Sequence, residues 1–120
     1  MSKNTFLNRN LKRLFYSLSI VCLTPVVAQA VPAKIWTAWQ PVRMNARECI
    51  RQAEIAVIDT GYASNLEVFG EGNTAGVYGE RGEYSATVRC GINNGLVFFV
   101  LAGPSSNVAS QELTVLMRNF

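Results

Sequence analysis

The chain has 120 residues, enough for one domain at most, with eleven Lys and Arg against eight Asp and Glu and no histidine. The missing histidine excludes a Ser-His-Asp or Cys-His nucleophilic device and any histidine-ligated metal site. The formal net charge of +3 is not spread over the chain. Four of the cationic residues and none of the anionic ones lie in residues 1–30, leaving seven against eight in the remainder. A remainder with net charge −1 gives no support to a nucleic-acid footprint, which needs a clustered basic face, so no nucleic-acid partner is expected.

Residues 1–30 have the three parts of a secretory signal. Lys3, Arg9, Lys12 and Arg13 form a basic start, Leu14 to Val27 an apolar stretch, and Ala28-Gln29-Ala30 a small-residue cleavage site. The apolar stretch is shorter than the ~20 residues a helix needs to span a bilayer, which argues against an uncleaved anchor. Cys22 follows Ser19-Ile20-Val21, a poor lipobox. The expected mature chain starts at Val31, lies in the periplasm or outside the cell, and has no stable membrane insertion.

Residues 31–43 are expected to be an extended lead-in, because Pro32 and Pro41 disfavour a helix across their positions. Its Trp36 and Trp39 would cover the outside of the first helix, or offer a stacking platform for sugars or another apolar ligand. A single domain is expected over 44–120. Asn45 to Thr60 reads as a helix, with Asn45 as N-cap, Glu48 completing a capping box, and Gly61 ending it. Ala46, Cys49, Ile50, Ala53 and Val57 make its apolar stripe.

A glycine-rich span follows, with short strands expected at Leu66–Phe69 and Thr74–Tyr78. The glycines lack the G-x-x-x-x-G-K-[ST] spacing of a phosphate loop and read as turns and bulges. Glu80-Arg81-Gly82-Glu83 is read as a polar hairpin turn. The next strand, Tyr84 to Cys90, alternates cleanly, with Tyr84, Ala86, Val88 and Cys90 on one face. Asn94-Gly95 signals a hairpin. Leu96 to Leu101 is continuously apolar, so it is expected to be central or covered on both sides. Ser105 or Ser106 caps a last helix whose stripe is Ala109, Leu113, Leu116, Met117 and Phe120.

These elements imply an α+β fold: a three- to four-stranded antiparallel meander with two helices packed on one face. Cys49 on the helical stripe and Cys90 on the inward strand face would each bring a sulfur to the same interior. Of the three cysteines only Cys49 and Cys90 remain in the expected mature chain, and an even count in an exported chain reads as a disulfide, so Cys49–Cys90 is expected to clamp helix to sheet. Metal-binding or redox thiols would ask for a C-x-x-C or a histidine, and the chain has neither.

The helix R-E-C-I-R-Q-A-E, the strand R-G-E-Y-S-A-T-V-R-C and the segment L-V-F-F-V-L-A-G-P-S together resemble a group of small exported cyanobacterial proteins of unknown function. The resemblance covers roughly residues 44–120. It implies a shared fold and a shared disulfide, and no activity.

No catalytic residue, cofactor or metal site is expected. Glu67, Glu71, Glu80 and Glu83 could serve as acids only by residue type, and they flank turns where carboxylates are solvated. The chain therefore reads as a non-catalytic binding or interaction module for an unidentified protein or small molecule. An enzyme inhibitor or small enzyme with a site on the glycine-rich loops is the alternative. A further one is a structural protein that self-associates through the open sheet face, with Phe98 and Phe99 as its motive. Any binding surface is expected on the span Phe69 to Gly82, using Phe69, Tyr78, Glu80 and Arg81.

Overall fold

Asn45 begins the first helix as its sequence implies: its side-chain oxygen accepts the Glu48 N–H at 2.9 Å. In the computed structural model, which describes residues 32–120, this helix, α1, spans Ala46–Asp59. The expected signal at 1–30 and the cleavage point at Val31 lie outside the described residues. Cys49, Ala53, Ala56 and Val57 are its buried stripe. Gly61, at φ +98°, ends it in a left-handed turn in which Tyr62 N–H reaches back to Val57 C=O at 3.0 Å.

Five antiparallel strands follow or precede α1: β1 (Lys34–Pro41), β2 (Ser64–Phe69), β3 (Gly76–Arg81), β4 (Tyr84–Gly91) and β5 (Leu96–Gly103). A second helix, α2 (Ser106–Asn119), closes the chain, capped by Ser105. The strand order is β1-β5-β4-β3-β2. The described residues thus form a sheet of five strands where three or four are expected. Residues 34–41 are extended, as the prolines require, yet they are no separate lead-in. They pair along their whole length with β5, from Lys34 opposite Gly103 to Pro41 opposite Leu96. Proline is tolerated because β1 is an edge strand, where a missing N–H can face solvent.

The two helices of the described residues lie on one face of the sheet, α1 over β3 and β4, α2 over β5 and β1, and they touch each other. Between them and the sheet, Val77, Ala86, Val88, Val97, Phe99 and Leu101 are fully buried. Phe99 meets Phe120 edge-on, ring centroids 5.5 Å apart. Burying each such large side chain stabilises the fold by about 1.5–3 kcal/mol. The apolar run at Leu96–Leu101 is the inner strand β5, flanked by β1 and β4.

Cys49 and Cys90 are joined, with Cα atoms 6.2 Å apart and both side chains fully buried. The bond ties α1 to the central strand β4, as the helical stripe and the strand alternation require. Gly79 sets how close α1 sits. A Cβ there would lie 2.0 Å from the Tyr62 carbonyl oxygen and 2.7 Å from Val57 Cγ1. Gly79 in the middle of β3 and Gly76 at its start are therefore sites of close approach rather than turns. The turn between β3 and β4 is only Gly82-Glu83, with Gly82 at φ +58°.

Candidate functional site

Directly opposed residues of an antiparallel pair project to the same side of the sheet, so the register assigns faces. Ala38, Phe99, Val88 and Val77 form one row beneath the helices. The alternate residues face away from both helices. There Trp39, Phe98, Arg89, Gly76 and Phe69 form a single row across all five strands.

Two glycines let the rings of this row lie along the sheet. A Cβ at Gly76 would be 2.4 Å from Phe69 Cζ, and one at Gly91 would be 3.2 Å from Phe98 Cε2. Arg89 stands exposed between the two phenylalanines, and Trp39 is 62% exposed at the edge. The next row is Thr37, Val100, Thr87, Tyr78 and Glu67, and beyond it lie Ile35, Ala102, Ser85 and Glu80. Aromatic rings around a guanidinium are chemistry suited to contact with a flat apolar or aromatic group. They are also the residue types enriched in interfaces.

On this face Tyr78 and Glu80 are coupled. The Tyr78 hydroxyl donates to Glu80 Oε1 at 2.6 Å, and Asn65 Nδ2 donates to Oε2 at 2.7 Å. The tyrosine bond, then the asparagine bond, hold the Glu80 carboxyl below the usual range for glutamate. The same bond to Glu80 pushes the Tyr78 phenol up.

Arg81 is not with them. Residues 80 and 81 are consecutive in β3, and alternation continues through Arg81 because the turn begins only at Gly82. Arg81 projects to the helix side, where Nη1 donates to the Thr60 carbonyl at the end of α1, at 3.2 Å. Nη2 pairs with Glu112 of α2, and the guanidinium lies over the Tyr62 ring, 4.8 Å from its centroid. The Glu112 bond raises the guanidinium's pKa. Thr60 completes the latch by donating to Ala56 C=O at 2.6 Å and accepting from Asn119 Nδ2 at 3.0 Å. Burial, then the Glu112 carboxylate, push the Tyr62 phenol up, and among the described residues its buried oxygen has no hydrogen-bond partner.

Of the four residues expected to share a surface, Phe69, Tyr78 and Glu80 lie on the open face and Arg81 joins hairpin to helices. Phe98 lies on the open face, whereas Phe99 belongs to the core. Trp36 and Trp39, adjacent in parity terms to opposite faces, neither cover α1 nor form a joint platform. Trp36, opposite Leu101, falls on the helix side beside α2, and Trp39 is opposite Phe98. Arg89 on the outer face was readable from the alternation of residues 84–90; its aromatic neighbours required the strand pairings, β4 with β5 for Phe98, β3 with β2 and β4 for Phe69, and β1 with β5 for Trp39. Among the described residues, no group of three His, Cys, Asp or Glu stands together as metal ligands, and no helix is long and apolar enough to cross a membrane. Comparison with known protein families, with curated proteins and with solved structures finds no match for this chain.

Proposed function

We propose that the chain is an exported, disulfide-stabilised binding domain that takes a protein or small-molecule partner on the open face of its sheet, without catalysis. The observation that carries this reading is the cross-strand row Trp39, Phe98, Arg89 and Phe69, which leaves aromatic surface and an exposed cation uncovered. Export is supported by the signal pattern of residues 1–30 and by a buried disulfide of the kind oxidising compartments sustain. The resemblance to small exported cyanobacterial proteins points the same way.

A photoreactive benzoylphenylalanine placed at Thr87, in the middle of the open face, is expected to capture a defined partner in living cells. Phe98→Ser is expected to abolish that adduct. The same probe at Arg51, on the exposed side of α1, is the control. Adducts at Arg51 with none at Thr87 would overturn the assignment of the face.

A further inference from the structure

The two edges of the sheet differ. Along β2 the register shifts between Ser64 and Glu67, and Asn65 adopts φ +48°, so that edge is irregular. Such bulges are how sheets discourage further pairing. Along β1 eight consecutive residues keep an unbroken register. Its only charge is Lys34 at one end and its only proline is Pro41 at the other. Between them, Ile35 is 65% exposed, Trp36 43%, and Trp39 more than half.

The hydrogen-bond parity of this edge is determined. Val42 N–H donates to Gly95 C=O, directly across the continued β1–β5 register, at 2.9 Å. Residues of the same parity, 36, 38 and 40, therefore turn their main-chain groups toward β5. Ile35, Thr37 and Trp39 turn theirs to the free edge, and so does Pro41, where the absent N–H costs the sheet nothing.

We propose that β1 pairs antiparallel with β1 of a second copy about a two-fold axis at Thr37, joining two sheets into one of ten strands. In this register Thr37 meets the partner's Thr37, and Ile35 meets the partner's Trp39 on the open face. Ile35, Thr37 and Trp39, the outward residues with an N–H, then exchange main-chain hydrogen bonds with their opposites, six in total by the antiparallel rule. Trp36 meets the partner's Ala38 on the helix side, a large residue against a small one. Lys34 meets the partner's Gln40, so no like charges are opposed. Shifting the axis to Ala38 would set Pro41 opposite the partner's Ile35, where each such pair keeps one bond instead of two, whereas about Thr37 every pair among Ile35, Thr37 and Trp39 bonds twice. The strand is thus complementary to itself, which is what an isologous two-fold interface demands. The partner surface lies at the edge, beside the open face rather than on it.

Sedimentation equilibrium of the purified protein across micromolar concentrations is the test. Wild type is expected to show twice the chain mass. Thr37→Pro removes an N–H that faces only the free edge, so it leaves the β1–β5 ladder intact. It is expected to raise the dimer dissociation constant at least about tenfold, with unchanged circular dichroism. Trp39→Lys, which puts a charge on the exposed edge, is expected to do the same. A wild-type monomer at 100 µM (about the upper end of the working range for such a dimer) would overturn the proposal. So would a dimer indifferent to both substitutions, or β1 amides that gain exchange protection only when a different chain is added.

Discussion

Replacing both bridged cysteines, Cys49→Ala with Cys90→Ala, removes the disulfide without leaving a reactive thiol. The two residues are 41 apart in sequence, so the bond closes a long loop in the unfolded chain. In the chain-entropy account that closure is worth about 13 cal/mol/K, or about 4 kcal/mol at 25 °C. Both side chains are fully buried, so the lost sulfur atoms add about 1 kcal/mol through imperfect refilling of their space. The double variant is therefore expected to lose about 5 kcal/mol, much of the stability typical of a small domain. Equilibrium unfolding in urea, followed by circular dichroism, measures this directly. The urea m value is also expected to rise, because the uncrosslinked chain exposes more surface when it unfolds. A loss under about 1 kcal/mol with an unchanged m value would refute the reasoning. It would mean that the stretch from α1 to β4 is restrained in the unfolded chain by something other than the bond.

Gly79→Ala is expected to cost about 1–3 kcal/mol, because its Cβ would meet the backbone of Tyr62. Gly82→Ala, with open space but φ +58°, should cost about 1 kcal/mol, and urea titrations giving the reverse ranking would contradict the close-approach role of Gly79. Arg81→Gln is expected to destabilise by about 1 kcal/mol, modest because the side chain is 44% exposed. Arg81→Lys should recover only part of that, since one ammonium cannot hold both Thr60 and Glu112 in the same fork. Glu80 has a lowered carboxyl pKa, so its contribution is present above the ordinary glutamate value and is lost as pH falls through the lower, folded value. Tyr78→Phe should flatten the dependence of Tm on pH below about 4.5, and an unchanged profile would show that the tyrosine bond is not its source.

The helices were legible in the sequence because their signals are local. Asn45, Glu48 and Gly61 act within one turn of chain, and the apolar stripes repeat at the helical period. The disulfide was legible because two independent local periodicities each turned a cysteine inward. β1 was not, because its pairing depends on a partner more than fifty residues away and its side chains are largely exposed. A strand without a buried face leaves little alternation to read. Arg81 was misplaced for a related reason: Glu80-Arg81-Gly82-Glu83 has turn composition, yet the turn needs only two of the four. The extra pair of strand residues reverses the side on which Arg81 emerges. The aromatic row on the open face combines these difficulties, since each member comes from a different strand.

The location of β1 also bears on how the chain avoids clumping with its own kind before it is folded. Leu96 to Leu101 is six uncharged residues of high strand propensity with no proline, the composition from which stacked, fibre-forming zippers are built. In the native sheet this segment has a neighbour on each side, and one of them is β1. The paired residues of β1 and β5 are 55 to 69 positions apart, so this contact must wait until almost the whole chain has been made. Until β1 docks, or if it is cut away, the zipper-prone segment becomes a bare edge. The first strand of the domain acts in this sense as a guard for the last one.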